Sequence, residues 1–359
     1  MSRVVSKNLF PFNPKGQLDD DIIAMESEEQ AAAEVGEVKQ MMDRMVELQD
    51  LNDEESNMEF VSMMRAVCDP YDGALSGCVE YQESMALTDR DVITVPTSHD
   101  GEFEVSVEVY TPQEGKEEGS RAGYIYAHGG GCVAMSAAQV APLLQHVAVQ
   151  CNLVVFNVDY RISPEARCPT NIKDFYSAIK YITQNADSFD VDPAKICIAG
   201  DSGGGYVCLG AMVLLAQHNE THLVKLAIPG VPMVDDYCFS DPLAMTVEER
   251  KVCPTMRKIW RDIIAANYEE QKNNPHLFPG KASDELLALF PPTVVMECEF
   301  DIYITEASRL ATRLRRVGRL LEFVVVPGAS HASSFLPNLT SNQTYFDALK
   351  TILKEYLCN

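Results

Sequence analysis

The sequence predicts an α/β fold, an eight-stranded and mostly parallel sheet flanked by helices. Apolar runs near residues 123–127, 153–159, 195–199, 225–231, 293–298 and 321–326 alternate with helical stretches, as buried parallel strands do. Ahead of them, 91–96 and 104–110 alternate apolar with polar residues around His99-Asp100-Gly101, which is a hairpin signal. Two of the runs end in glycine-rich turns, His128-Gly129-Gly130-Gly131 and Gly200-Asp201-Ser202-Gly203-Gly204-Gly205.

Taken in order, residues 1–88 come first and are acidic. Up to residue 60 there are fifteen Asp or Glu against five Lys or Arg. Ile22, Ile23 and Met25, then Val38, Met41, Met42, Met45, Val46 and Leu48, recur at near-helical spacing among those charges. This segment is expected to be helical and to cap a site; residues 1–30 read equally well as a solvated acidic tail. Residues 89–359 form the sheet unit. Within it, the charged stretch of about 235–274, with Met256 and Trp260, is expected to be a second piece of cap.

The third apolar run, 195–198, leads through the glycines into 207–215, long enough for a helix. A strand, a tight turn and a helix put Ser202 at the helix N-terminus. There the helix dipole and the unpaired N–H groups favour negative charge. Glycines flank such a turn because a Cβ would strike the neighbouring strand or helix. The loop His128-Gly129-Gly130-Gly131 carries no side chains beyond its histidine, so its amide N–H groups are free to approach a ligand. Together they read as an oxyanion hole and a nucleophile.

A serine hydroxyl is a weak nucleophile at neutral pH and needs a base, and the base needs a partner to hold its tautomer. Of seven histidines, His99 falls in the hairpin turn, His146 in a helix, and His218 and His222 at the end of the helix after the serine. His276 lies in a polar loop and His128 in the glycine loop. His331 follows the apolar strand 321–326, at the end of a late parallel strand where such sheets gather ligands. Asp301, the first acid past the strand at 293–298, is preferred as the partner. Glu299 and the pair Asp235-Asp236 are the alternatives.

The chain resembles the hormone-sensitive-lipase group of α/β-hydrolase esterases, which includes plant carboxylesterases and gibberellin receptors. The resemblance rests on the glycine loop, the order Ser202, Asp301, His331 and the segment 158–165, Val-Asp-Tyr-Arg-Ile-Ser-Pro-Glu. It also includes Pro169-Thr170-Asn171-Ile172-Lys173-Asp174 and the pair Pro291-Pro292, and it covers roughly residues 90–357. It implies an α/β-hydrolase fold with a helical cap, a catalytic triad of Ser202, Asp301 and His331, and oxyanion donors at Gly129, Gly130 and Gly203. It implies cap helices over the site, with Phe60, Met63, Met64 and Val67 as wall residues. The expected reaction is hydrolysis of small-molecule carboxylic esters of short to medium acyl chain, with no cofactor and no metal. Amide, lactone or carbamate hydrolysis on the same triad is the alternative, and a non-catalytic receptor of the same fold is a further one. Relatives pair through the edge strand near 321–326, so a homodimer is compatible. The chain departs from the group at Gly203, where alanine is usual, and at Cys132, where an aromatic is common. It departs also at Thr305, where a second acid is usual, and at Ala332, where a glycine is usual.

Composition agrees. The chain has 359 residues, 46% of them hydrophobic, enough for one large core. A formal charge of −24 excludes nucleic-acid binding, since a phosphate backbone would be repelled. No run approaches a membrane span, and the first residues lack a secretory signal. Eleven cysteines, an odd number without Cys-x-x-Cys spacing, point to reduced thiols and a cytoplasmic setting.

Overall fold

The computed structural model of the chain describes residues 17–33, 36–97, 101, 103–115, 120–236 and 254–358. His99 and Asp100, expected in the hairpin turn, and residues 237–253 of the expected second cap piece lie outside them.

Eight strands form one sheet in the order β1-β2-β4-β3-β5-β6-β7-β8. They are β1 (Thr88–Pro96), β2 (Glu104–Pro112), β3 (Arg121–Ala127), β4 (Leu153–Asp159), β5 (Val191–Asp201), β6 (Leu226–Gly230), β7 (Thr293–Phe300) and β8 (Leu320–Ser330). The β1–β2 and β2–β4 pairs are antiparallel, and every pair from β4 through β3 to β8 is parallel. This is the α/β-hydrolase fold that the sequence predicts. β3 is buried at all seven positions because helices cover both of its faces. β1 stands at the sheet edge and is largely exposed.

Two helices, α6 (Ala137–Cys151) and α10 (Thr340–Ile352), cover one face of the sheet, where Leu144, Val147, Phe346 and Leu349 pack on Tyr124 and Val155. The other face is covered by α7 (Thr170–Gln184), α8 (Gly203–Gln217) and α9 (Ile304–Arg316). Every residue of α8 from Gly203 to Ala216 is buried, as befits a central helix that is apolar on all sides. β8 runs four residues past its apolar core, since Phe300 of β7 still pairs with Ser330, and it delivers His331 directly.

The N-terminal segment is helical, with α1 (Asp20–Ala33), α2 (Gly36–Leu48) and α3 (Glu54–Cys68), followed by the shorter α4 (Pro70–Ser76) and α5 (Val79–Ala86). Asp53 caps α3 by accepting the N–H of Ser56 at 2.9 Å. Of the apolar residues read at helical spacing, Ile22, Met45 and Leu48 are buried, while Ile23 and Val46 face solvent. Ile22 packs on Leu336 and Leu339 with Leu18 beside them, so residues 18–22 sit on the sheet unit. Phe60 is fully buried with Met63 and Met64 beside the core, while Val67 is exposed. The described part of the expected second cap piece is a helical stretch from 254 that widens at Ile259–Ile264. Its Trp260 lies edge-on to Tyr206 of α8, with ring centroids 4.8 Å apart. Lys258 joins this stretch to the N-terminal segment, its buried ammonium donating to the Leu51 carbonyl and to Asn57, with Asp262 3.6 Å away.

Candidate active site

Ser202 occupies the turn between β5 and α8 with φ 59° and ψ −119°, a conformation non-glycine residues rarely adopt. Its N–H donates to the Gly230 carbonyl at 2.9 Å, which helps hold the turn against β6. The crowding explains the glycines. A Cβ on Gly200 would sit 2.5 Å from the Gly204 carbonyl oxygen, and one on Gly204 would overlap the Ala127 carbonyl.

The structure brings the three side chains of the expected triad together. His331, in a short turn after β8, places Nε2 2.9 Å from Ser202 Oγ and Nδ1 2.8 Å from Asp301 Oδ2. Asp301 is buried just past β7, and its other oxygen accepts the Tyr303 N–H at 2.8 Å. Burial depresses the His331 pKa, but the charge and hydrogen bond of Asp301, with the charge of Asp201, outweigh it and hold the imidazole above its ordinary value. The Tyr303 ring stands edge-on to His331 at 5.4 Å, and its hydroxyl reaches Met256 Sδ at 2.6 Å.

The alternative acids are engaged elsewhere. Glu299 accepts the Gly328 N–H at 3.0 Å. Asp236 pairs with Lys281 at 2.6 Å and accepts from Tyr268, while the Asp235 N–H donates to Glu306. Among the other histidines, His146 is a core residue bonded to Ser84 at 2.9 Å, and His218 ends α8.

The glycine loop lies against the serine turn. The Cβ position of Gly129 is 3.7 Å from Ser202 Cβ, and that of Gly203 is 2.7 Å from the Gly131 nitrogen. Gly130 and Gly131 have positive φ, 92° and 59°. Cys132 follows with φ 60° and is fully buried, its thiol donating to the Gly203 carbonyl at 3.4 Å. It therefore packs under the loop where an aromatic is common among the proteins the chain resembles.

The segment after β4 buttresses this loop residue by residue. Asp159 accepts the Ala137 N–H that opens α6, at 2.9 Å. Tyr160 stacks on His128 and donates its hydroxyl to the His128 carbonyl at 2.6 Å. Arg161 forks onto the fully buried Asp174, with contacts of 2.8 and 2.9 Å. Three supporting residues escaped the sequence reading. Asp201 accepts from Tyr126 at 3.0 Å and Tyr345 at 2.9 Å, which ties the serine turn to β3 and α10. Arg65 of α3 donates to the Val133 carbonyl at 2.9 Å and pairs with Glu165 at 2.8 Å. Glu306 accepts both the Val234 and Asp235 N–H groups. No local pattern marks these partners, which lie from about 70 to 145 residues away.

Among the described residues, no helix is long and apolar enough to cross a membrane, and no group of His, Cys, Asp and Glu is arranged to hold a metal ion.

A sheet of this order with a strained serine at a strand-to-helix turn defines a class of protein, the α/β hydrolases. The sequence profile of the alpha/beta hydrolase fold matches residues 124–335, more than half of the chain, and the chain belongs to that family. Among its relatives, arylacetamide deacetylase-like 2 of Homo sapiens is 30% identical, covering 77% of this chain and 79% of that protein. An ethyl acetate hydrolase of Pseudomonas putida is 24% identical over 69% of this chain and 74% of its own. The solved structure of a bacterial heroin esterase superposes with a TM-score of 0.71 at 26% identity, covering 82% of this chain and 90% of that one. By class the chain is a carboxylesterase of the hormone-sensitive-lipase group.

Proposed function

We propose that the chain cleaves carboxylic esters of short to medium acyl chain through an acyl-enzyme formed on Ser202. His331 takes the hydroxyl proton as Oγ attacks the carbonyl, while Asp301 orients the imidazole and stabilises its charged form. Amide hydrogens of Gly129, Gly130 and Gly203 meet the charge developing on the carbonyl oxygen, each worth about 3 kcal/mol. His331 then protonates the departing alcohol, and water repeats the sequence to release the acid. The observation that carries this reading is the hydrogen-bond chain from Asp301 through His331 to Ser202 at a strained turn.

The helical segment up to residue 88 and the stretch 254–274 serve in this reading as one cap, supported by the Lys258 link and by the Gln49 to Thr255 bond of 3.2 Å. The name of the Pseudomonas relative supports short acyl groups. That of the human relative favours a second reading, hydrolysis of aryl acetamides by the same groups. Pairing of two chains along β8, whose Leu321 is exposed, fits the same architecture. A cytoplasmic setting is supported by the nine described cysteines, all free.

The test is Ser202→Ala, which should abolish both burst release of alcohol from an activated acetate ester and labelling by a fluorophosphonate. Normal turnover by that variant ends the assignment. A panel of p-nitrophenyl esters from acetate to palmitate, run beside an aryl acetamide, ranks the acyl length and the two readings.

A further inference from the structure

The start of α1 lies against the loop that carries His331. The Asp19 N–H donates to the Gly328 carbonyl at 3.0 Å, three residues ahead of the histidine. Gly328 has φ 71°, and the Asp19 carboxylate takes the place a Cβ would occupy there, so the two backbones run in contact. On the far side of the histidine, Ile22 is fully buried against Leu336 and Leu339. Asp21 Oδ2 accepts the Thr340 N–H at 2.6 Å. Thr340 opens α10, whose own N-cap residue is Leu339, a side chain that cannot accept. The cap is supplied instead from 319 residues away. α10 in turn carries Tyr345, bonded to Asp201 beside the nucleophile.

We infer that residues 19–22 are a positioning clamp for His331, with Asp21 and Ile22 as its working side chains. The inference rests on the reading of His331 as the general base. That residue sits in a single turn, His331–Ser334, and must keep hydrogen bonds to both Asp301 and the serine while a proton passes through it. A loop held at only one end would spend part of its time outside that geometry, and turnover falls with the population held in line. The clamp grips both ends, at residue 328 and at residues 336–340. None of its groups lies among those assigned to the reaction, so it acts on the chemical step through the histidine.

The test uses the full chain as Asp21→Ala, Asp21→Asn and Ile22→Ala, with functional serines counted by the burst from p-nitrophenyl acetate. Asp21→Ala and Ile22→Ala should lower kcat per titrated serine roughly fivefold, the scale of one lost helix cap, with KM within about twofold of the parent. Asp21→Asn should restore kcat, because its amide oxygen accepts the same N–H. Parental kcat per titrated serine in both truncated variants overturns the clamp, as does a loss confined to the number of titrated serines. His331→Ala tests the underlying reading separately: normal turnover by that variant removes the base, whatever the clamp variants do.

Discussion

The Cβ position of Gly203 lies 2.7 Å from the amide nitrogen of Gly131, so the residue after Ser202 and the glycine loop are in contact through backbone alone. The alanine usual at this position in the proteins the chain resembles would push against Gly131 and Cys132. The apposition thus depends on the glycine found here.

Gly203→Ala should therefore shift the loop by a few tenths of an ångström and misplace its donors. The expected result is a fall in kcat/KM of roughly tenfold with the melting temperature nearly unchanged. Steady-state kinetics on p-nitrophenyl acetate beside a thermal melt checks it, and unaltered kcat/KM would show that the loop adapts.

The pH profile follows from His331. Protonated imidazole cannot accept the serine proton, so kcat/KM should rise with pH through the His331 pKa, which Asp301 and Asp201 hold above the ordinary 6.5. Asp301→Asn removes one of those charges. Its acid limb should move to lower pH while kcat drops by about 10⁴, and a limb that stays in place would dissociate it from His331.

Lys258 carries a stability prediction. Lys258→Met leaves the Leu51 carbonyl and Asn57 without their donor, while Asp262 keeps its forked pair with Arg261 at 2.6 and 2.7 Å. Two acceptors left without their buried donor cost about 3 kcal/mol together. Chemical denaturation measures this loss, and a change under about 1 kcal/mol would show that water replaces the ammonium.

Arg65 should act on activity more than on stability. Its pair with Glu165 is partly exposed and contributes less than about 1 kcal/mol, whereas its bond to the Val133 carbonyl braces the chain two residues past the glycine loop. Arg65→Met is expected to lower kcat/KM about fivefold with little change in melting temperature. The reverse pattern, a large thermal loss with full activity, would make the residue structural only.

Much of the architecture is written in local pattern. A buried parallel strand must be apolar along its length, so β3 to β8 announce themselves, and the turn after β5 demands glycines that any reader can see. Ser202 and His331 could be singled out because each follows such a strand. For the acid, sequence left Asp301, Glu299 and the pair at 235 and 236 in competition, since alternation alone does not say what each oxygen meets. Packing separated them, by aiming Glu299 at the Gly328 amide and Asp301 at the imidazole. The extension of β8 past Val326 was hidden because Pro327 and Gly328 break the apolar run, although the backbone goes on pairing.

By itself, then, the sequence determined the order of strands and helices, the two glycine turns and the short set of candidate side chains, because periodicity and steric demand act on neighbours in the chain. Only the tertiary structure decided which groups support them: Asp21 at the head of α10, Tyr126 and Tyr345 on Asp201, and Arg65 on Val133. Those are single polar contacts across long stretches of chain. A hydrogen bond needs two atoms within about 3 Å, and nothing in the residues around either partner records where the other will arrive.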